Sequence, residues 1–292
     1  MSNATPTEPP SPSPLEPGLY VTATPIGNAR DVTLRALDVL SRCDAIAAED
    51  TRTTARLLAI HAVSRPLLSY SEHSAARTRP MILRRLAQGA RIALVSDAGT
   101  PLISDPGYKL VSEALAAGIA VHPVPGASAA LAGLVVSGLP TDRFFFAGFL
   151  PAASAARRTA LAELKPVRAT LVFFEAPQRL AESLRDMSEV LGARHAAVAR
   201  EITKLHEEVR RDTLENLAKR YDEAGAPRGE VTVIVNFAPP DGPDLGRADL
   251  LLESALEFMP VRAASDLVAN ALNISRRAVY ARALARKKDT GQ

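Results

Sequence analysis

From Gly18 onward the apolar positions alternate between two spacings. Short, nearly unbroken apolar runs at residues 19–24, 45–48, 66–70, 91–96 and 121–124 read as buried strands. Between them, residues 31–40, 53–59, 77–88, 108–117 and 129–136 carry helical spacing, with glycines at 89 and 118 closing two of these helices. Strands that are apolar throughout, each followed by a helix, predict a parallel sheet covered on both faces.

Ligands of such sheets gather beyond the carboxyl ends of the strands. Four unusual sequences fall there: Pro25-Ile26-Gly27-Asn28, Glu49-Asp50-Thr51-Arg52, the run from Asp97 to Asp105, and Pro125-Gly126-Ala127-Ser128. The stretch Leu94-Val95-Ser96-Asp97-Ala98-Gly99-Thr100-Pro101-Leu102-Ile103-Ser104-Asp105-Pro106-Gly107 is the most informative. It holds two acids, two prolines and two glycines but no lysine. Such a loop suits a hydroxylated or cationic ligand and is poorly suited to a triphosphate, which calls for a lysine and a glycine-rich nest.

Each loop also has a plainer reading. Pro25 to Asn28 alone is an ordinary strand-to-helix turn. Asp50 or Thr51 is placed to cap the next helix, which leaves Arg52 to meet a phosphate or an internal acid. Asp97 and Asp105 suit turns and ligand hydrogen bonding better than a metal, because no third ligand is fixed near them by sequence. Gly126-Ala127-Ser128-Ala129 lacks the second glycine of a nucleophile elbow, so Ser128 reads as a helix cap.

Gly138-Leu139-Pro140-Thr141 marks the exit from a first domain at 18–139. The second, at 140–238, shows strands at 144–150, 170–175, 195–201 and 230–237, helices at 155–164, 179–190 and 214–224, and a hairpin-like pairing near 207–211. Polar residues follow two of its strands directly, in Phe173-Phe174-Glu175-Ala176-Pro177-Gln178-Arg179 and Arg200-Glu201-Ile202-Thr203-Lys204-Leu205-His206-Glu207. Residues 239–247, with Pro239-Pro240-Asp241-Gly242-Pro243, read as a linker to a module at 248–292. There a helix at 261–271, a turn at 272–274 and a second helix capped by Ser275 give helix-turn-helix spacing. The second helix is basic, with Arg276, Arg277, Arg282, Arg286, Lys287 and Lys288, and is read as a nucleic-acid contact. Residues 1–17, rich in Pro, Ser and Thr, are expected to be a disordered tail.

Composition narrows the class further. The 292 residues carry 47% hydrophobic side chains but only 4% aromatics and no Trp, so the core must be built from Ala, Leu and Val. The net charge of +3 permits an RNA partner without requiring one. A single cysteine, Cys43, excludes a disulfide framework and fits a reducing cytoplasm. None of the five histidines has zinc-ligand spacing with another His or Cys. No segment reads as membrane-spanning or as a secretory signal. Without a lysine phosphate loop or a GxGxxG turn, nucleotide hydrolysis and NAD chemistry are disfavoured.

The blocks Thr24-Pro25-Ile26-Gly27-Asn28, Ala48-Glu49-Asp50-Thr51-Arg52, Leu94 to Gly107, Phe173-Phe174-Glu175, Arg200-Glu201-Ile202-Thr203-Lys204 and Gly229-Glu230 together resemble the ribosomal RNA small subunit methyltransferase I family of the tetrapyrrole methylase superfamily. The resemblance runs from Gly18 to the C-terminus. It implies an α/β fold of two tetrapyrrole-methylase-type domains with a cleft between them, plus the helix-turn-helix-like module. It also implies a cytoplasmic homodimer that acts on the small ribosomal subunit. The reaction implied is methyl transfer from S-adenosyl-L-methionine to the ribose 2′-hydroxyl of a decoding-centre cytidine in 16S rRNA.

By the same resemblance, cofactor contacts are expected at Pro25, Gly27, Asp97, Ala98, Gly99, Thr100, Ile103, Gly126 and Ser128, with Phe174, Glu175 and Thr203 closing over from the second domain. Asp50, Asp105, Glu175 and Glu201 are the candidate proton acceptors, and sequence does not choose among them. Arg52 and Lys204 are candidate phosphate anchors, alongside Arg276, Arg277, Arg282 and Arg286. Gln178 stands where the family often has histidine, so an obligatory base at that position is not expected. Two competing functions share parts of these features. A tetrapyrrole C-methyltransferase shares fold and cofactor but has no need of a basic helical module. A non-enzymatic nucleic-acid-binding regulator built on the tail would have no affinity for the methyl donor.

Overall fold

The computed structural model describes residues 14–104, 107–237, 245–272 and 274–289. The chain forms two compact units, divided between Asn236 and Phe237.

The first sheet contains β1 (Gly18–Thr22), β2 (Ala45–Ala48), β3 (Leu67–Ser69), β4 (Arg91–Val95) and β5 (Val121–Val124). Its order is β3-β2-β4-β1-β5 and every pairing is parallel, as the unbroken apolar strands predicted. Its helices are α1 (Leu34–Arg42), α2 (Thr51–Ile60), α3 (Glu72–Ala87), α4 (Tyr108–Ala116) and α5 (Ala129–Ser137). Cys43 is buried in this half, where burial pushes its thiol up to about 11, and it packs as a small core residue.

Several boundaries differ from those read in the sequence, each for a local reason. β1 stops at Thr22 because Thr24 turns aside to pair with Gly99 through two backbone hydrogen bonds of 2.9 and 3.0 Å. The segment expected as one helix from 31 is a 3-10 turn, Ala29–Asp31, followed by α1, which Thr33 caps by accepting from Ala36 N–H. α3 begins at Glu72 rather than 77. A capping box between Ser71 and Ser74 starts it early, and the exposed Pro80 sits inside it, where water can satisfy the carbonyl freed by the missing N–H.

The second sheet, β6 (Phe144–Phe149), β7 (Thr170–Glu175), β8 (His195–Arg200), β9 (Glu208–Thr213) and β10 (Val231–Val235), has the order β6-β7-β10-β8-β9. Only β6 and β7 run parallel; β10 is antiparallel to both β7 and β8. The pairing expected near 207–211 is the full strand β9, antiparallel to β8 along six residues. α6 (Ser154–Leu164), α7 (Leu180–Leu191) and α8 (Leu214–Ala224) cover one face, over a core that includes Leu171, Phe173, Leu184, Val198, Leu217 and Val233.

The other face is covered by α5. Ala130 and Leu134 pack on Val172, Ala197, Ala199 and Ile234 of the second sheet. The boundary expected at 139 therefore falls just after a helix that leaves the first sheet and roofs the second. Gly133 makes the approach possible, since a Cβ there would stand 2.9 Å from Thr232 Cγ2.

The second unit is a three-helix cluster: α9 (Leu245–Leu256), α10 (Val261–Leu272) and α11 (Arg276–Asp289). Ala248, Leu252, Ala264, Val268, Val279 and Ala283 form its core. α10 and α11 follow the expected helix-turn-helix spacing, whereas α9 was not read from the sequence. The expected linker at 239–247 lies outside the described residues as far as 244, and the expected tail as far as 13.

Candidate functional site

In the first sheet β2, β4, β1 and β5 are neighbours and all parallel, so their carboxyl ends open on one edge. Those ends carry the four loops singled out in the sequence. The loop after β4 ties the other three together. Asp97 Oδ1 accepts from the backbone N–H of Asp50 (2.9 Å). Gly99 pairs with Thr24, whose hydroxyl also donates to Ser96 O (3.2 Å). Thr100 Oγ1 donates to Ala127 O (3.1 Å). Leu102 and Ser104 hold left-handed backbone, with φ of 74° and 68°, a conformation that L residues adopt at a cost of order 1–3 kcal/mol.

The second sheet faces this edge with the end of β7 and the start of β10, which the antiparallel register places together (Glu175 opposite Val231). Between the two edges lies a cavity of about 440 Å³. Of the expected cofactor residues, Asp97, Ala98, Gly99, Thr100, Ile103, Ser128, Phe174 and Glu175 line it. Its charged lining consists of Glu49, Asp97, Glu175 and Glu230, with no Lys, Arg or His among the described residues. Phe174 packs edge-on against Phe146 and Phe149 at 4.9 and 5.6 Å.

A smaller groove of about 280 Å³ adjoins the cavity and shares Ile26, Asp97, Ala98 and Glu230 with it. Pro25, Gly27 and Lys204 line the groove rather than the cavity. Gly126 and Thr203 line neither. Gly126 lets the β5 loop approach β1, where a Cβ would stand 3.0 Å from that of Ala23, and Thr203 accepts from Asn28 N–H at 3.2 Å.

The candidate proton acceptors are differently disposed. Asp50 caps α2 and also binds Arg52 (2.7 Å), and these hydrogen bonds hold its carboxyl at about 2. Glu201 receives Lys204 Nζ at 2.8 Å, which lowers its titration. Neither Asp50 nor Glu201 lines the cavity or the groove. Glu175 is buried, with Oε1 accepting from Ala176 N–H (2.7 Å) and Arg179 (2.6 Å) and Oε2 from the Ser183 hydroxyl. Asp105 lies outside the described residues.

Lining residues that were not expected as cofactor contacts are Glu49, Ser104, Ala129, Phe149, Ala176, Pro177, Ala199, Ile202, Gly229, Glu230, Val231 and Thr232; several, Glu49, Ser104, Gly229 and Glu230 among them, lie in sequences already singled out. Most come from the second sheet, and the last four precede or open β10, where a search of strand ends does not look. Among the described residues no group of three or more His, Cys, Asp or Glu converges to hold a metal.

In the second unit, Arg282 binds Asp249 (2.7 Å), and Arg286 reaches Asp249 and Glu253 at 3.6 and 3.2 Å, so both fasten α11 to α9. Arg276 pairs with Asp266 of α10, and Arg277 is exposed.

Comparison with known proteins bears on both units. Residues 18–218 match the family described as tetrapyrrole (corrin/porphyrin) methylases, and residues 242–287 match the RsmI C-terminal HTH domain. A ribosomal RNA small subunit methyltransferase I from Mesorhizobium japonicum is 48% identical over 280 residues, 96% of this chain and 95% of its own length. Another, from Erythrobacter litoralis, is 50% identical over 274 residues, 94% of this chain and 97% of its own. Among solved structures, the uroporphyrin-III C-methyltransferase of Thermus thermophilus complexed with S-adenyl homocysteine shares the fold, with a TM-score of 0.53 at 18% identity over 74% of this chain and 96% of that one. By sequence along nearly its whole length and by the fold of both halves of its first unit, the chain belongs to the ribosomal RNA small subunit methyltransferase I family of the tetrapyrrole methylases.

Proposed function

We propose that the chain transfers a methyl group from S-adenosyl-L-methionine to the ribose 2′-hydroxyl of a decoding-centre cytidine in 16S rRNA. The observation that carries this reading is the charge of the 440 Å³ cavity, whose charged lining is four carboxylates and no base. Arg179 and Lys204 offset Glu175 and Glu230 from behind, but no base faces the cavity to hold a phosphorylated cofactor, whereas an ammonium and a sulfonium suit its carboxylate lining. The volume falls within the roughly 300–1,000 Å³ of ordinary small-molecule sites.

When bound, S-adenosylmethionine supplies an electrophilic methyl carbon. The protein's task is then alignment, and the loop after β4, fixed to its three neighbours, gives a rigid wall for it. Asp97 and Glu230 are acceptors for the donor's ammonium and ribose hydroxyls. Ser128 and Ala129 bring the N-terminus of α5 to the cavity, a position that favours a carboxylate. Phe174 and Ile202 supply apolar surface. The helix-turn-helix unit is read as the RNA-binding part, with Arg277 among its exposed cations.

A homodimer belongs to the same proposal. The edge strand β6 leaves Phe144 and Phe145 each 44% exposed, and light scattering on the full chain tests it. Among the described residues no helix is long and apolar enough to cross a membrane. The site of action is taken to be the cytoplasm, where ribosomal subunits are found.

The decisive assay offers labelled S-adenosylmethionine with either purified small subunits or a tetrapyrrole precursor. Label at one ribose 2′-oxygen of 16S rRNA is expected. Label in the tetrapyrrole alone would replace the reading with a C-methyltransferase, and RNA binding without donor binding would replace it with a regulator.

A further inference from the structure

The groove beside the cavity is walled by α2. Thr53, Leu57 and Ile60 line it, a stripe of i, i+4 and i+7 positions, and Pro25, Ile26 and Ala29 face them from the loop after β1. Its charged groups are Asp97, Lys204 and Glu230, and Thr53 adds a hydroxyl. The groove and the larger cavity have Ile26, Asp97, Ala98 and Glu230 in common, so an occupant of one lies against an occupant of the other.

We propose that this groove is the seat of the acceptor nucleotide, taking one unstacked nucleotide of single-stranded RNA against Leu57 and Ile60 of α2, with Arg52 and Arg56 on the helix's outer shoulder holding the flanking phosphates. The assignment rests on the methyl-transfer reading above and deepens it. Two adjoining compartments are what an in-line transfer between two bound partners requires, one for the donor and one for the attacking hydroxyl.

The charges sort by depth. Asp97 and Glu230 stand at the junction with the cavity, where they repel phosphate and accept hydrogen bonds from ribose hydroxyls or an exocyclic amine. Lys204 also lines the groove, but its ammonium is bound by Glu201 (2.8 Å) and Glu230 (2.9 Å), and two further cations stand outside. At about 100° per residue, Arg56 and Arg52 lie roughly 60–100° around α2 from the Thr53 position, away from the buried Thr54 and Leu58. Both arginines are exposed, and Arg52, although paired with Asp50, keeps its side chain 84% exposed. The apolar Pro25, Leu57 and Ile60 offer a surface for a splayed base. At about 280 Å³ the groove is small for a macrocycle.

Two variants of the full-length enzyme test this, each with the S-adenosylmethionine Kd measured by calorimetry as a control on folding and on the donor site. Leu57→Trp fills the groove and is expected to lower methylation of small subunits on the order of tenfold or more. Arg56→Glu is expected to raise the KM for subunits about fivefold and to flatten its salt dependence by about one phosphate contact, with kcat retained. Donor Kd should be unchanged in both. Wild-type kinetics in both variants would overturn the assignment. So would a loss of donor affinity in either, because the groove would then belong to the donor site. Wild-type enzyme that binds no donor and leaves subunits unmethylated would instead defeat the methyl-transfer reading, and the groove's role with it.

Discussion

Lys204 runs its aliphatic stem directly over Gly27, so that a Cβ at residue 27 would stand 2.4 Å from Lys204 Cγ. The ammonium at the end of that stem binds Glu201 (2.8 Å) and Glu230 (2.9 Å). The first sheet's β1 loop is thereby pinned beneath a strut from the second sheet, and the Asn28–Thr203 hydrogen bond runs beside it. Gly27→Ala is expected to displace the strut and to slow methylation about 10- to 100-fold, as misalignment near a reacting centre does. The double variant with Lys204→Ala should be no slower than Lys204→Ala alone. Additive losses in steady-state kinetics would show that the two positions do not act through this contact.

The same strut has a pH signature. Hydrogen bonding to Lys204 lowers Glu201 below its ordinary 4.5, against the opposing effect of burial. Burial opposes the charge on Lys204, but its two carboxylates outweigh that and raise it above its ordinary 10.5. A depressed acid stabilises the fold above its unfolded value and loses that contribution as pH falls through the folded one. A raised base stabilises below its unfolded value and loses that contribution as pH climbs through the folded one. The strut is therefore fully formed between about pH 4.5 and 10.5. Carboxyl NMR titration should place the Glu201 midpoint below 4.5, and Lys204→Ala should move it upward. A midpoint unmoved by that substitution would remove Lys204 as the cause.

How much of the site is legible in the sequence depends on strand direction. In the parallel sheet every strand ends on one edge, so the turn-forming residues after 24, 48, 95 and 124 point to the loops that reach the cavity. In the second sheet β10 runs the other way and brings its beginning to the cavity. Gly229 to Thr232 line the site although they precede or open a strand. Gly229 is needed there for space, since a Cβ would fall 2.2 Å from the Glu201 carboxylate. The role of α5 is hidden for a related reason. Its composition is apolar all round, and such a helix does not reveal which of two sheets it covers. Arg282 and Arg286 of α11 are legible as charge but not as structure, because their partners Asp249 and Glu253 lie on a helix that the sequence pattern did not reveal.

Glu175 is completely enclosed, and its oxygens are spoken for by Arg179, Ser183 and the Ala176 N–H. Such a carboxylate holds the turn after β7, and with it Phe174 and Pro177, in the cavity wall. Glu175→Ala strips a half-buried arginine of its counter-charge, and removing one partner of a buried pair costs about 3–5 kcal/mol. Urea unfolding should show that loss together with a fall in donor affinity. Full stability with abolished methyl transfer would assign Glu175 a direct part in the chemistry instead.

In the helical unit, the arginine proposed to meet RNA is a different one from those that join α11 to its neighbours. Arg282 forks onto Asp249, which is 17% exposed, and joins α11 to α9. Arg277 projects from the same helix into solvent. Arg282→Ala is expected to destabilise the unit by about 1 kcal/mol, since a half-exposed pair is partly screened by water, and to raise amide exchange in α9 and α11 of the full chain. Arg277→Glu should leave exchange unchanged and weaken binding of small-subunit RNA, with a salt dependence reduced by about one contact. If Arg277→Glu binds RNA like the wild type while Arg282→Ala does not, the face of α11 that meets RNA is the one now folded against α9, and the unit has to open to bind.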